Sequence, residues 1–393
     1  MTDITNPEQQ NTVDTGIALM QFPKQVLSRL QPDLVLQRHL QLGLRPKTLM
    51  KFEEFRNVEE NSSDDIFVNK TSNSDLQMTK DEDSSDDALI LANNVLKVGN
   101  MFIKTELSLG IAEFDSLNIN EDSFAPIWPE VNIDRGRIGA PTDEEMIVSR
   151  QIFENIICGK YIKQKDLVIK SIGKKTEESE TVTYNSLSEE DELLLENENK
   201  WSFVLYAKIN VYSREGPVYD HVFNSLMLCL KKLKFPGVYI EESSIDLQIP
   251  SKKSFNRKQK QETQRTFKMK FDFQNCKKLI LNKNISISSN FGVIYKDPTL
   301  ALSSSGGSES VLEDAMDVEN ESKEFKREPI LIADISTDIE ESSIFSRLSV
   351  SCNSSSYTSI NLMNGSNNQK ISVQQLKDAL QLSKARFNSL NPN

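Results

Sequence analysis

The sequence predicts an α+β fold of mixed α/β character, made of two similar passes. Each pass runs through strands and hairpins and closes with a helix packed on them. Three observations carry this prediction. Trp201 to Pro236 reads as a strand, a tight turn at Gly216-Pro217, and an amphipathic helix stopped by a proline. FKMKFDF alternates strictly, with Phe267, Met269, Phe271 and Phe273 on one face and lysines opposite. A final helix opens at Ser372, with Gln375 as its capping-box partner, after a second set of strands. Acidic, low-complexity stretches at about 58–87, 171–199 and 299–328 interrupt the passes and read as disordered insertions. The domains expected are a disordered N-terminus at 1–20, a first half at 21–237 and a second half at 238–393.

Taken in order, the first pattern is helical: Phe22, Val26 and Leu30, then Leu34, Leu36 and Leu40, with Pro23 and Pro32 where helix starts tolerate them. Gly43 and Pro46 end it. A hairpin follows, with strands at 88–97 and 101–109 around Val98-Gly99-Asn100. Residues 121–130 read as irregular, and VNIDRGR as a short strand. Thr142 and Glu145 form a capping box for a helix whose apolar face is Met146, Ile147, Ile152, Phe153, Ile156 and Ile157. The helix after Gly216 places Val222, Phe223, Leu226, Met227, Leu230 and Leu233 on one face, a core stripe in character. The second part begins near Val238. There ISISSNFGVIYKD reads as strand, turn, strand, while 330–334 and 345–352 read as strands. The last helix runs through Val373, Leu376, Ala379, Leu380 and Ser383.

Composition bounds the function. The chain has 393 residues, 37% of them hydrophobic, and a net charge of −12. That hydrophobic content is low for a fully packed chain of this length, in keeping with insertions. The acidic balance argues against nonspecific nucleic-acid binding by the whole chain, but it leaves room for a local basic face. No apolar run approaches the ~20 residues of a membrane-spanning helix, so no membrane association is predicted. The polar N-terminal stretch lacks the layout of a signal peptide. Cys158, Cys229, Cys276 and Cys352 show no Cys-x-x-Cys spacing, which reads as reduced thiols in a cytosolic or nuclear protein and gives no support to a zinc site. His39 and His221 are the two histidines, and His39 reads as a surface or packing residue. Phosphate-loop, dinucleotide, zinc-protease and serine-hydrolase motifs are missing. No cofactor and no metal is expected.

Four clusters offer candidate chemistry. The turn Arg214-Glu215-Gly216-Pro217 lies where many enzymes hold phosphate, yet an acid and a proline make it a poor cradle. Asp334-Ile-Ser-Thr-Asp338-Ile-Glu340-Glu341 offers carboxylates for Mg²⁺ or acid–base work. The favoured reading is a solvated turn, because no basic or histidine partner lies near in sequence. Lys252, Lys253, Arg257, Lys258, Lys260, Arg265, Lys268 and Lys270 form the strong basic block. It is a candidate contact for RNA phosphates, or a solvated hairpin tip or import-like patch. Arg135 and Arg137 face a polyanion or pair with Asp134, Asp143 or Glu144, the second being favoured.

Several of these motifs, in order, resemble the RNase PH family. LQRHLQLGLRP followed by KFEEFR is similar to that family's opening G-x-R-P-D-G-R and F-x-x-x-R. The hairpin from Leu91, VNIDRGRIGAPTDEEM, the Trp201–Pro236 stretch, and NFGVIY, ILIADISTDIEE and ISVQQLKDALQLSKAR follow in the family's order, over about 22–387. The resemblance is to ring subunits of the eukaryotic RNA exosome. It implies an RNase PH-like fold of two pseudo-duplicated sheet–helix halves and a six-membered ring of RNase PH-like subunits around an RNA channel. It further implies RNA-binding cap proteins, a separate processive exoribonuclease, and a place in the nucleus, nucleolus and cytoplasm. Phosphorolytic members carry Gly-Gly-Thr-Arg-like residues where this chain has Glu215-Gly216-Pro217-Val218, and the family's Asp-Gly-Arg is replaced by Lys47-Thr48-Leu49-Met50. Arg214, Gly216 and Asp334 therefore mark a degenerate family site. The expectation is a non-catalytic ring subunit supporting RNA processing and turnover, with neighbour interfaces at strand edges and at the Leu/Met-rich helices. The alternatives are an active phosphate-dependent 3′–5′ exoribonuclease and a free-standing RNA-binding module using the Lys252–Lys270 segment.

Overall fold

The structure is a computed structural model in which residues 26, 29–62, 89–113, 123–136, 139–169, 171–175, 182–184, 201–246, 266–282, 285–296, 329–344, 346–364 and 371–391 are described. The strands are β1 (Val58–Ser62), β2 (Leu89–Val98), β3 (Met101–Glu113), β4 (Ile127–Ile133), β5 (Ile172–Lys175), β6 (Trp201–Tyr212), β7 (Lys234–Asp246), β8 (Thr266–Lys278), β9 (Ile287–Tyr295), β10 (Pro329–Ala333), β11 (Ser346–Cys352) and β12 (Tyr357–Asn364). The helices are α1 (Pro32–Gln41), α2 (Asp143–Gly159), α3 (Gln164–Leu167), α4 (Tyr219–Lys232), α5 (Asp338–Ser343) and α6 (Val373–Leu390). The first sheet has the order β1-β2-β3-β6-β4, the second β10-β9-β11-β12, and a small third β5-β7-β8. The fold is α+β, as the sequence predicts.

The hairpin β2–β3 turns at Gly99, whose φ of +61° at the first of two turn residues suits a tight reversal. β3 then pairs antiparallel with β6 from Phe102↔Tyr212 to Glu113↔Trp201, and β6 pairs parallel with β4. Alternation along β6 sends Phe203, Leu205, Ala207, Ile209 and Val211 inward. Against that inner face lies α4, which also packs on β9 of the second sheet. The predicted stripe from Val222 to Leu233 is buried. The opposite side of α4 is buried as well, through Asp220, His221, Asn224, Ser225 and Cys229. Its polar groups are met by both sheets. Asn224 donates to the Ser288 carbonyl (2.8 Å) and accepts from Ser288 N–H (2.6 Å), while the Ser225 and Thr105 hydroxyls meet at 2.8 Å. This Leu/Met-rich helix is therefore interior and cannot supply a neighbour interface, which corrects that expectation.

Local signals placed most of the other elements. Ser372 caps α6, its hydroxyl accepting from Gln375 N–H (3.2 Å) while its own N–H donates to the Gln375 side chain (2.9 Å). Thr142 N–H donates to the Glu145 carboxylate (2.6 Å) at the start of α2. On α2 the buried face is Val148, Ile152 and Ile156, whereas Met146 and Ile147 are exposed, contrary to the predicted face. β1 and β5 fall within stretches read as insertions, and β4 begins within the stretch read as irregular. β9 is one unbroken strand, not strand–turn–strand. Its Gly292 serves packing, since a Cβ there would lie 2.5 Å from Ile344. β12, which the sequence did not signal, pairs along β11. The expected boundary at 237/238 runs through β7, and α1 packs Leu36 and Leu40 against Ile294, Ile332, Ile335 and Ile344 of the second half. The N-terminal segment thus belongs to the second core. The stretches 1–20 and 299–328 lie outside the described residues.

The two halves touch where the turn before α4 meets the chain after β10. Gly216 has φ +73°, and a Cβ there would stand 2.2 Å from the Ile335 carbonyl oxygen. Gly43, at φ +74°, has open space around it. Gly216→Ala is expected to cost about 2–4 kcal/mol, since backbone strain and backbone overlap add. Gly43→Ala bears the strain alone and should cost about 1–2 kcal/mol. Urea denaturation midpoints of the two variants test the difference.

Candidate functional site

The loop leaving β10 carries the acidic cluster, and the structure buries it instead of solvating it. Asp334 and Glu340 are fully buried. Their partners come from far away in sequence, which corrects the reading of a solvated turn. Arg45 donates through Nε and Nη2 to the two Glu340 oxygens (2.9 and 2.8 Å), and also to the carbonyls of Ala333 (2.9 Å) and Asp334 (2.6 Å). Arg56 grips Asp334 in the same two-pronged way, Nη2 to Oδ1 at 2.8 Å and Nε to Oδ2 at 3.0 Å. Its backbone N–H adds a third bond to Oδ2 at 2.8 Å. His221, in the first turn of α4, brings Nε2 to 3.2 Å from Asp334 Oδ1 and 3.1 Å from Arg56 Nη2.

The backbone at Asp334 is held in the left-handed region, φ +52°. Aspartate tolerates that conformation better than most residues. Asn290 of β9 fixes it from below. The Asn290 carbonyl accepts from Asp334 N–H (2.9 Å) and its side-chain oxygen accepts from Ile335 N–H (2.8 Å). Thr337 caps α5 by accepting from Glu340 N–H (3.2 Å), so Glu340 is presented to Arg45 by its own helix start.

Electrostatics follow from this geometry. Burial alone raises a carboxyl's pKa, but the His221 and Arg56 contacts reverse it and hold Asp334 well below the ordinary carboxylate value. Glu340 is likewise lowered against burial, by Arg45. Burial pushes His221 down, only partly opposed by Asp334. Next to it, Asp220 is pushed up by burial while its carboxylate accepts from the Ser288 and Ser349 hydroxyls. Arg386 of α6 lies over the Phe55 ring at 4.4 Å, and burial lowers its pKa.

The residues marked from the sequence fare differently. Gly216 is the close-packed turn described above. Arg214 reaches Glu144 (2.9 Å) and Glu341 (3.0 Å) and is 29% exposed. Glu215 accepts from Lys47 (2.7 Å) and Asn100 (3.1 Å) and stands 3.5 Å from Arg56 Nη1. An acid thus fills the place beside Arg56 and Lys47, where an anion would need free cations. Arg135 pairs with Glu145 (3.0 Å), not with Asp134, Asp143 or Glu144, and Arg137 lies outside the described residues. His39 donates through Nδ1 to the Val35 carbonyl one turn earlier (2.7 Å), a local packing role. Lys252, Lys253, Arg257, Lys258, Lys260 and Arg265 lie outside the described residues. Among the described residues no group of three or more His, Cys, Asp and Glu side chains is set to hold a metal ion. No described helix is long and apolar enough to cross a membrane.

Sequence reasoning gave no role to Arg45, Arg56 or His221. The first two stand inside the motifs LGLRP and KFEEFR, and spacing within those motifs gave no hint of partners nearly 300 residues away. Both oxygens of Asp334 are occupied by cationic or N–H donors, and the side chain has no solvent access. Such a carboxylate neither binds a metal nor takes a proton from a substrate without first losing Arg56.

No protein-family model and no curated protein matches the chain. Among solved structures, it is similar to a chain of an "Archaeal exosome core" at 13% identity and a TM-score of 0.49, covering 94% of this chain and 98% of that chain. It is similar at 12% identity and a TM-score of 0.49 to a chain of the Archaeoglobus fulgidus exosome with RNA bound to the active site, covering 93% of this chain and 98% of that chain.

Removing Arg56 strands a buried carboxylate, so Arg56→Met is expected to cost about 3–5 kcal/mol. Arg214→Met, at a partly exposed pair, should cost about 1 kcal/mol or less. Denaturant titration of both variants checks the ratio. The pH dependence has a definite sign. His221 is depressed below its ordinary value of 6.5, so the unfolded chain binds that proton more readily. Stability is therefore full above about pH 6.5 and declines as pH falls through and below it. A second loss follows below about pH 4, as Asp334 and Glu340 are protonated. His221→Asn is expected to flatten the first decline and leave the second, read from thermal midpoints between pH 8 and 3.

Proposed function

We propose that this chain is a non-catalytic, architectural subunit of an exosome-type ring, shaping the RNA path and subunit interfaces while a separate nuclease cuts RNA. The observation that carries the reading is the closed state of Asp334. It is the family-site carboxylate by resemblance, and Arg56 and His221 occupy both of its oxygens. Glu215 standing against Lys47 and Arg56 supports it, because an acid there repels inorganic phosphate from the nearest cations. The motif order from LGLRP to the last helix supports RNase PH-like ring partners, RNA, RNA-binding cap proteins and a processive exoribonuclease. It also supports a role in ribosomal RNA maturation and RNA turnover in nucleus, nucleolus and cytoplasm. Within that family the resemblance is to the eukaryotic ring subunit called ribosomal RNA-processing protein 43.

Purified chain, incubated with RNA and inorganic phosphate, is expected to release no nucleoside diphosphate. Robust release that Asp334→Ala abolishes would overturn the reading. Native mass spectrometry of tagged chain from cells is expected to find it in a nine- or ten-subunit assembly, and a lone monomer there counts against the ring.

A further inference from the structure

The second core encloses a cation that the site described above does not use. Arg386 of α6 is 4% exposed, and among the described residues neither its Nη1 nor its Nη2 meets a hydrogen-bond partner. The packing of α6 on β9 shows what lies beside it. Phe291 of β9 shares a core cluster with Ala379 of α6, and Ile287 shares one with Phe387. Side chains along a strand alternate between its faces, so Ser289, midway between Ile287 and Phe291, faces α6 as they do. Its neighbour Ser288 turns the other way, its hydroxyl donating to Asp220 of α4. Ser289 therefore meets α6 between Ala379 and Phe387, the stretch that carries Arg386. It is fully buried, and its hydroxyl also has no partner among the described residues. Around the two stand Phe55, whose ring centre is 4.4 Å from the Arg386 guanidinium, and Val350, which pairs with Ser289 between β11 and β9. Cys352 follows on the same face, its thiol donating to the Ser383 carbonyl (3.3 Å).

Arginine keeps its proton in proteins, so Arg386 cannot shed its charge to suit the interior. A buried charge costs several kcal/mol unless it is paired. The Phe55 ring offers a cation–π contact worth about 2 kcal/mol when desolvated, which falls short of that cost. The carboxylates whose charges reach Arg386 are Asp334 and Asp220. Both are already taken, Asp334 by Arg56 and His221, and Asp220 by the Ser288 and Ser349 hydroxyls. Burial pushes the Cys352 thiol up to about 11, so it is neutral and supplies no negative charge. The described residues thus set a fixed positive charge beside a hydroxyl and bring no counter-charge to it.

We propose that Arg386 and Ser289 form an internal site for a small monovalent anion, of which chloride is the natural example. The donors select the sign of the ligand. Arg386 Nη1 and Nη2 can only donate, and the Ser289 hydroxyl is free to turn and donate with them. A water would have to place its own two hydrogens against a cation and an apolar wall of Phe55, Phe291 and Val350. A monatomic anion only accepts, and its charge answers Arg386. Inorganic phosphate suits the site less well, because one guanidinium and one hydroxyl do not answer its larger charge and four oxygens. The bound anion would tie α6 to β9 and so close the second core.

The test compares the purified full-length chain in sodium chloride and in sodium gluconate at equal ionic strength. Chloride is expected to raise the thermal midpoint, and above its Kd each tenfold increase in chloride should shift the folding equilibrium about tenfold. Arg386→Met is expected to lose that response. Ser289→Ala removes one charge-assisted hydrogen bond and should need about tenfold more chloride for the same shift, which keeps the test sound where Arg386→Met fails to fold. Crystals grown in bromide should show an anomalous peak between Arg386 and Ser289. Equal wild-type midpoints in the two salts overturn the proposal, as does a chloride response that Arg386→Met retains or that Ser289→Ala leaves unchanged. A bromide-free site in those crystals overturns it in favour of water. None of these measurements involves RNA, phosphorolysis or the mass of an assembly, so this inference and the ring reading fail separately.

Discussion

The Arg56–Asp334 pair is the contact on which the rest of the arrangement turns. A carboxylate without solvent access is tolerable only when its charge and its lone pairs are answered. Arg56 supplies two side-chain bonds and a backbone bond. To do so it must be delivered from the segment after α1 to the end of β10. His221 must come from the first turn of α4 to the same carboxylate. Arg45 and Glu340 repeat the device one step away. Four segments spread over nearly 300 residues are thereby brought into a single register. Buried ion pairs add little net stability over an apolar replacement, but breaking one is costly. Their effect here is to make alternative pairings of those segments expensive.

This explains why the two halves are similar in plan and yet do not behave as separate bodies. Each half sets antiparallel strands against a long helix, α4 on β2, β3 and β6, and α6 on β9, β10 and β11. But α4 also packs on β9, and α1 closes the second core with Leu36 and Leu40. The turn at Gly216 lies directly on the Ile335 carbonyl. The chain thus crosses the seam three times, at its start, at the turn before α4 and at the loop after β10. A helix buried on all sides needs its polar residues satisfied by its neighbours. Asn224 and Ser225 do this toward one sheet each, through Ser288 of β9 and Thr105 of β3.

What the sequence made legible was local. Ser372 with Gln375 announces α6 because capping is settled within four residues, and Gly99 announces the β2–β3 turn because a positive φ favours glycine. The strand read from Trp201 toward the Gly216-Pro217 turn is β6. The errors were all nonlocal. Gly292 read as a turn, and only the approach of Ile344 shows that it is there for want of space. β12, rich in Ser, Thr and Asn, is a strand because β11 offers it an edge. Met146 and Ile147 fit a helical stripe with Ile152 and Ile156, but α2 buries Val148 with those two and leaves Met146 and Ile147 exposed. The candidate site failed for the same reason. Asp334 had no visible partner within its own segment, while Arg56 lies 278 positions earlier. Arg45 and Arg56 sat in quoted motifs, yet nothing local distinguished a buried structural arginine from a surface one.

A carboxylate serves catalysis when it can change its partners or its proton during turnover. Both Asp334 oxygens are held by buried partners. Its pKa is driven down by two neighbours that are themselves buried, and its backbone is locked by Asn290. Glu341 ties Arg214 and Arg347 together at the edge of the same region, so the nearest guanidinium groups are also committed. The charges at this seam are thus answered by one another, which is what lets them sit away from water.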